Sequence, residues 1–280
     1  MAGTLYVVAT PIGNLRDMVP RALEILQTVD LIAAEDTRRS GQLLRHFNIS
    51  SPLISYHDHS DESKVRKVLE ALARDEQVAL ISDAGTPLIS DPGYRLVREA
   101  QAMGAIVSPV PGACAAMAAL SVAGLASDRF VFEGFLPAKQ NQRRAALEAL
   151  DREPRTLIFY EAPHRIQAML SDLSEVLGSA REVVLARELT KTYETVIKTS
   201  VGALLERVTE DTDQQRGELV LVVQGCADSS VSADSQEQTR VLSVLLEDLS
   251  VKQAANLAAK ITGGSRNRLY QQALQMKNDA

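Results

Sequence analysis

Short β-branched runs that alternate with amphipathic stretches constrain this chain more than any other feature. LYVVAT (5–10), DLIAAE (30–35), PLISY (52–56), VALIS (78–82) and AIVSPV (105–110) read as strands, and VPRALEIL and DESKVRKVLEALARD carry apolar residues at helical spacing between them. Parallel strands need long crossovers rather than tight turns, so this order predicts a mostly parallel sheet covered by helices. After PGACAAMAALSVAGL the alternation restarts with RFVFEGF, RTLIFY, REVVLARE and ELVLVVQG, with helices expected around 140–150, 163–177 and 200–209. The reading is two α/β domains, 1–115 and 116–226, with the Ala-rich helix near 112–123 as their joint.

Beyond them, ADSSVSADSQEQ (227–238) lacks apolar periodicity and is read as a linker. TRVLSVLLEDL and SVKQAANLAAKITGGSRNRLYQQALQMK then predict three helical segments, broken at Ser250 and at Gly263-Gly264, in a small domain over 239–280. A small-residue helix, a glycine turn, and a helix capped by Ser265 and bearing Arg266, Arg268 and Tyr270 resemble a helix-turn-helix.

With 280 residues, 45% of them hydrophobic, the chain can bury real cores without staples. A net charge of -6 denies the whole molecule the positive field of a nonspecific nucleic-acid binder. The tail opposes that trend: residues 251–277 hold Lys252, Lys260, Arg266, Arg268 and Lys277 and no acidic residue. That face is either a nucleic-acid contact or the solvated side of a packing subdomain. The two cysteines, Cys114 and Cys226, lie far apart, which argues against a disulfide framework and suits a reducing cytoplasm. No export signal or membrane span is read, so a membrane partner is not expected.

Three loops rich in glycine and proline fall at expected strand ends: TPIGNLRD (10–17), DAGTPLISDPG (83–93) and PVPGA (109–113). In open α/β sheets, loops at the carboxyl edge line the ligand cleft. Neither a P-loop spacing nor a G-x-G-x-x-G after the first strand is present, so phosphate cradling is disfavoured. Prolines remove donors and fix φ while glycines let backbone approach a flat ligand, giving a rigid slot for a neutral or cationic molecule. The last part, Ser90-Asp91-Pro92-Gly93, reads as the turn and cap that start the next helix.

Strings along the chain carry a family resemblance: VATPIGNLRD, AAEDTR (33–38), SYHDH (55–59), ISDAGTPLISDPG (81–93), VPGA (110–113), FEGFLP (132–137), FYEAPHR (159–165), ARELTKTYE (186–194) and GELVLVV (217–223). The chain resembles the class III, tetrapyrrole-methylase-type S-adenosylmethionine methyltransferases, and most of all a branch that methylates the ribose 2′-hydroxyl of a cytidine in small-subunit ribosomal RNA. Tetrapyrrole methylases usually carry a G-x-G-x-G-D-like first loop and a G-D-P-like second one. Here Thr10-Pro11-Ile12-Gly13-Asn14 and Asp83-Ala84-Gly85-Thr86-Pro87 stand instead, which favours RNA over a corrinoid.

The resemblance implies two α/β domains of that type with a cleft between them plus the helix-turn-helix-like tail. It also implies S-adenosylmethionine as donor, no metal, small-subunit ribosomal RNA as partner near the decoding region, and a homodimer. The donor residues it implies are Ser82, Asp83, Ala84, Gly85, Thr86 and Pro87, with Asp83 and Gly85 foremost, then Pro111, Gly112 and Ala113, bordered by Pro11 and Gly13. The acidic balance suits an assembled subunit better than naked RNA.

Methyl transfer to a ribose hydroxyl is an in-line displacement that needs positioning and removal of a poorly acidic proton. Glu35-Asp36-Thr37-Arg38, Tyr160 to Arg165, and Arg187-Glu188-Leu189-Thr190-Lys191 each follow an apolar run. Glu35, Asp36, Glu161 or Glu188 can serve as base, and the residues do not choose among them. Arg38, Arg165, Arg187 and Lys191 are candidates for RNA phosphates, joined by Lys252, Lys260, Arg266 and Arg268 of the tail. Each cluster also reads as exposed salt bridges, typically worth about 0–1 kcal/mol. His164 beside Pro163 reads as a helix start rather than a catalyst. Tyr56-His57-Asp58-His59 points its histidines to opposite faces, which disfavours a metal. It reads as a strand-to-helix turn capped by Ser60 or Asp61, or as a loop contact to RNA in which Tyr56 or a histidine stacks on a base. Two rival functions remain open: C-methylation of a precorrin or uroporphyrinogen, and a noncatalytic regulator that senses a ligand and binds nucleic acid.

Overall fold

A computed structural model describes residues 2–56, 62–226 and 229–278, so His57 to Asp61, with the histidine string and its caps, lie outside the described residues. The first domain runs β1 (Thr4–Val8), α1 (Pro20–Thr28), β2 (Leu31–Ala34), α2 (Thr37–His46), β3 (Leu53–Ser55), α3 (Glu62–Ala73), β4 (Gln77–Ile81), α4 (Tyr94–Ala102) and β5 (Ile106–Val110). Its strands pair in the order β3-β2-β4-β1-β5, all parallel. Both faces are covered, which is why the strands read as apolar runs. Leu5, Val78 and Leu80 pack with Val68, Leu72 and Leu96 of α3 and α4, while Ile32, Ala79 and Ile81 pack with Leu26 and Leu44 of α1 and α2. Each fully buried aliphatic side chain contributes roughly 1.5–3 kcal/mol. Tyr56 is 1% exposed within this core, so it is not available to stack on a base.

β1 lies between β4 and β5 although both are distant in sequence. The carboxyl ends of these three strands are therefore neighbours, and the loops after them meet.

The second domain comprises α5 (Ala115–Ala123), β6 (Phe130–Phe135), α6 (Gln140–Ala149), β7 (Thr156–Glu161), α7 (Ile166–Val176), β8 (Glu182–Arg187), β9 (Thr195–Ser200), α8 (Val201–Glu210) and β10 (Leu219–Val223). The order is β6-β7-β10-β8-β9, parallel between β6 and β7 and antiparallel elsewhere. Alternate residues serve alternate faces. Leu157, Phe159, Val183, Leu185, Leu219 and Leu221 pack against α6 to α8, and Ile158, Val184, Ala186, Val220 and Val222 pack against Ala116, Ala119 and Ala123 of α5. Small side chains let α5 lie close to the sheet. β9 is an edge strand absent from the sequence reading; of TVIKTS only Ile197 is buried, so its apolar signal is weak.

The third unit consists of α9 (Ser229–Asp248), α10 (Val251–Thr262) and α11 (Arg266–Asn278). It corrects the expected linker at 227–238: α9 is continuous from Ser229. A polar stretch without periodicity extends a helix when its far end is packed, because propagation costs far less than nucleation. Leu242 supplies that anchor, packed with Ala254, Ala255, Ala258, Leu269 and Ala273. Gln253 Oε1 accepts from the backbone N–H (3.3 Å) and hydroxyl (2.7 Å) of Ser250 and so fixes the start of α10. Gly263, at φ 71°, ends it. Among the described residues no helix is long and apolar enough to cross a membrane.

Candidate active site

The three glycine loops are laced together by hydrogen bonds. Thr10 and Gly85 exchange backbone bonds, Thr10 N–H to the Gly85 carbonyl at 2.8 Å and Gly85 N–H to the Thr10 carbonyl at 3.0 Å. Thr10 Oγ1 donates to the Ser82 carbonyl at 3.3 Å, and Thr86 Oγ1 to the Ala113 carbonyl at 3.0 Å. Gly85 holds φ 84°, a region that disfavours any side chain. Leu88 (φ 72°) and Ser90 (φ 64°) adopt left-handed backbone in the same loop, the kind of stored strain that clusters at ligand sites.

A cavity of about 310 Å³ opens where these loops face the second domain. Ile12, Ala84, Gly85, Thr86, Ser90 and Asp91 line one side, Cys114 and Ala115 the floor, and Phe135, Tyr160, Glu161, Leu189 and Glu218 the other. Among the described residues the lining holds three carboxylates and no Lys, Arg or His. Apolar walls, small residues and negative charge fit a flat, cationic ligand and oppose a polyphosphate. Tyr160 Oη accepts from Ala116 N–H at 3.1 Å, and burial, with Cys114 beside it, pushes its phenol above the usual range.

The candidate carboxylates separate by geometry. Glu161 is 2% exposed and lines the cavity; its Oε1 accepts from Ala162 N–H at 2.7 Å and lies 3.1 Å from Arg165 Nε, and its Oε2 is buried without a hydrogen-bond partner. Burial raises its pKa, against the opposing pull of Ala162 N–H, Arg165 and Arg143. Asp36 instead caps α2, accepting from Arg38 N–H at 2.8 Å, and its bond from the Arg38 side chain lowers its pKa. Glu188 Oε1 accepts from Lys191 Nζ (2.7 Å) and Glu218 N–H (2.9 Å). Burial works to raise its pKa, but Lys191 and the Glu218 N–H prevail and lower it. Neither Asp36, Glu188 nor Glu35 lines the cavity.

Of the expected donor residues, Ala84, Gly85 and Thr86 line the cavity. Asp83 does not: its Oδ1 accepts from Asp36 N–H at 3.0 Å and its Oδ2 pairs with Arg39 at 3.3 Å, so it braces the first domain. Ser82 and Pro87 are buried behind the loop. Pro11, Pro111, Gly112 and Ala113 stand just outside the lining, Gly112 packed so tightly on Ala9 that a Cβ would sit 2.9 Å from the Ala9 Cβ. Gly13 borders a neighbouring cleft.

The stretch Ser90-Asp91-Pro92-Gly93 does lead into α4, with Gly93 as its N-cap, but Ser90 and Asp91 also face the cavity. Burial pushes the Asp91 carboxyl up to about 6, although a bond from Ser82 opposes it. Sequence reading missed Asp91 because Asp-Pro-Gly is also a turn signature. It missed Cys114 and Phe135 as lining because nothing in spacing aims a side chain across a domain boundary.

Two of the expected phosphate ligands point inward. Arg187 is 9% exposed with Nε donating to Thr195 Oγ1 at 3.2 Å, and Arg165 Nη2 donates to the Leu136 carbonyl at 2.6 Å. Strand-end arginines are drawn to such buried acceptors. Arg38 is exposed and paired with Asp36, while Lys191 is shared between Glu188 and Glu218. Lys252, Lys260 and Arg266 are exposed on α10 and α11, and the Arg268 backbone belongs to α11. His164 is exposed in the short helical turn that Pro163 begins.

The sequence profile of the tetrapyrrole (corrin/porphyrin) methylases matches residues 4–205, and that of the RsmI C-terminal HTH domain matches 232–277. The chain is 56% identical over 275 residues to the ribosomal RNA small subunit methyltransferase I of Pseudomonas aeruginosa, covering 98% of each. It is 53% identical over 277 residues to the protein of that name in Escherichia coli O157:H7, covering 98% of this chain and 96% of the other. A crystal structure of uroporphyrin-III C-methyl transferase from Thermus thermophilus, complexed with S-adenyl homocysteine, shares the fold with a TM-score of 0.55 at 18% identity, over 79% of this chain and 97% of the other.

Proposed function

The chain belongs to the tetrapyrrole (corrin/porphyrin) methylase family, and on that premise we propose that it methylates the ribose 2′-hydroxyl of a cytidine in small-subunit ribosomal RNA, near the decoding region and on the assembled subunit. It is a methyltransferase, and relatives about half identical over nearly their whole length support S-adenosylmethionine-dependent methylation of ribosomal RNA. One observation carries the mechanism: Glu161, buried at the cavity with one oxygen unpartnered and its pKa raised.

The cavity's residues fit the donor. Ala84, Gly85 and Thr86 with Cys114 and Ala115 would hold it, and its sulfonium supplies an electrophilic methyl group when bound. The Thr10–Gly85 bridge keeps the loop rigid, so positioning is prepared before the acceptor arrives. Asp91, across from Glu161, supplies negative charge for a cationic ligand. Glu161 takes the proton from the acceptor hydroxyl at Oε2, and the pKa that burial raises strengthens it as a base. Leu189, Phe135 and Ile12 keep water from the reacting groups.

The exposed lysines of α10 and Arg266 of α11 give the third unit a grip on RNA phosphates that the acidic body lacks. Homodimerisation and a cytoplasmic setting belong to the same proposal. Mass mapping of ribose methylation in small-subunit RNA, with and without the protein, tests the target; an unchanged set of 2′-O-methyl marks refutes it. Labelled donor presented to purified small subunits and to protein-free RNA tests the assembled substrate, and equal rates count against it.

A further inference from the structure

Beside the methyl-transfer cavity lies a second cleft of about 620 Å³, bounded by Gly13, Asn14 and Leu15 after β1 and by Glu188, Thr190, Lys191 and Tyr193 between β8 and β9. The two spaces share a wall. Glu218 lines the first cavity, and its carboxylate lies 3.1 Å from the Nζ of Lys191, which lines the second. Glu188 completes that wall by accepting the Glu218 N–H at 2.9 Å.

The cleft is built under constraint. Glu188 (φ 53°) and Thr190 (φ 68°) are both in left-handed backbone, an uncommon state for side-chain-bearing residues. Gly13 packs against the Lys191 side chain so closely that any Cβ there would overlap it. Thr190 Oγ1 is buried without a partner, a hydrogen-bonding group that the folded chain leaves unused. Tyr193, by contrast, is 72% exposed, and Leu15 is 41% exposed at the opposite rim.

Resting on the ribosomal RNA reading, we infer that this second cleft holds an unstacked nucleoside adjoining the acceptor, its base lying on the Tyr193 ring. Unstacked bases in single-stranded RNA are held on aromatic faces. The Lys191 ammonium is committed to two carboxylates, so the cleft offers little free positive charge for a phosphate. What it offers is the aromatic face of Tyr193 and, in the Glu188 carboxylate, an acceptor for a ribose hydroxyl or base amine. Recognition here therefore works by stacking and depends little on salt, unlike the grip of the basic tail.

The chain contains no tryptophan, so Tyr193→Trp installs a single fluorescent reporter in the cleft. Its emission should be quenched by a cytidine-containing oligoribonucleotide or by small subunits, and not by the demethylated donor alone. In steady-state methylation, Tyr193→Ala should raise KM for the subunit about tenfold or more, equally at low and high salt, with kcat and donor Kd unchanged. Tyr193→Phe should restore KM. An unchanged KM in Tyr193→Ala, or no quenching by RNA, overturns the inference while leaving the methylation reading standing. Absence of methyl transfer by the wild-type protein would overturn that reading instead, and quenching by RNA would still decide the cleft.

Discussion

Thr10 and Gly85, seventy-five positions apart in sequence, exchange both backbone hydrogen bonds and so join the loop after β1 to the loop after β4. The joint needs the left-handed conformation of Gly85, at φ 84°, and a Cβ there would sit 3.4 Å from Ile12 Cγ2. Gly85→Ala should therefore cost about 1–2 kcal/mol of stability through backbone strain and weaken donor binding, as read by denaturant melts and by calorimetric titration. An unchanged donor Kd would show that the bridge does not shape the donor slot.

Glu161→Gln keeps the shape of the side chain but removes the base. We expect kcat to fall about 10²–10⁴-fold with little change in donor Kd. In the wild type, kcat/KM should rise with pH through an apparent pKa above the usual glutamate range, because the carboxylate is the active form and burial raises its pKa. A variant of full activity and a flat acid limb would remove Glu161 from the chemistry.

Asp91 links stability to pH. Its folded pKa is raised to about 6 from 3.8, so the folded state binds its proton more tightly than the unfolded state does. Ionised Asp91 thus penalises folding above pH 6, and the penalty is relieved as pH falls from 6 towards 4. Asp91→Asn should melt higher than the wild type at pH 7–8, with the difference vanishing near pH 4, and should bind the cationic donor more weakly. Scanning calorimetry across that range checks the sign; a variant that melts lower at pH 8 would contradict it.

Asp172 is wholly buried and accepts from Arg143 Nε (2.6 Å), Arg144 Nε (2.7 Å) and Gln140 Nε2 (3.2 Å), fastening α6 to α7. Asp172→Ala leaves the buried Arg143 without its counter-charge, which typically costs about 3–5 kcal/mol. For domains of this size that corresponds to a melting point lower by roughly 10 °C. Donor affinity of the folded fraction should be unaffected, since this network lies on the helical face away from the cavity.

Lys252 and Lys260 are exposed on α10. If they hold phosphates, Lys252→Gln and Lys260→Gln should each reduce the slope of log affinity against log salt by about 1, without altering donor Kd. A salt slope identical to the wild type would leave this face to packing alone.

Alternation of apolar runs was enough to read the parallel first domain, the second α/β domain and the helical tail, since burial on two faces dictates composition locally. The motif strings likewise carried the family. The sequence reads as a linker where α9 begins because periodicity reports on apolar patterning within a segment and that stretch has none; the helix is anchored through Leu242 to the helices beyond. β9 escaped for the same reason, with only Ile197 buried.

The site divides in the same way. Ala84, Gly85 and Thr86 were legible because glycine, proline and threonine encode the loop's own backbone. Which carboxylate faces the cavity was not legible, because Asp36, Glu161 and Glu188 all follow strands and differ only in what lies across from them. Near neighbours take up two of them, Asp36 as the cap of α2 and Glu188 through Lys191, while the approach of the 83–91 loop to the end of β7 places Glu161 at the cavity with its Oε2 buried and alone. Local sequence specifies conformation and many of a group's near partners; which group ends buried at a cavity depends on distant segments, and only the tertiary fold brings them together.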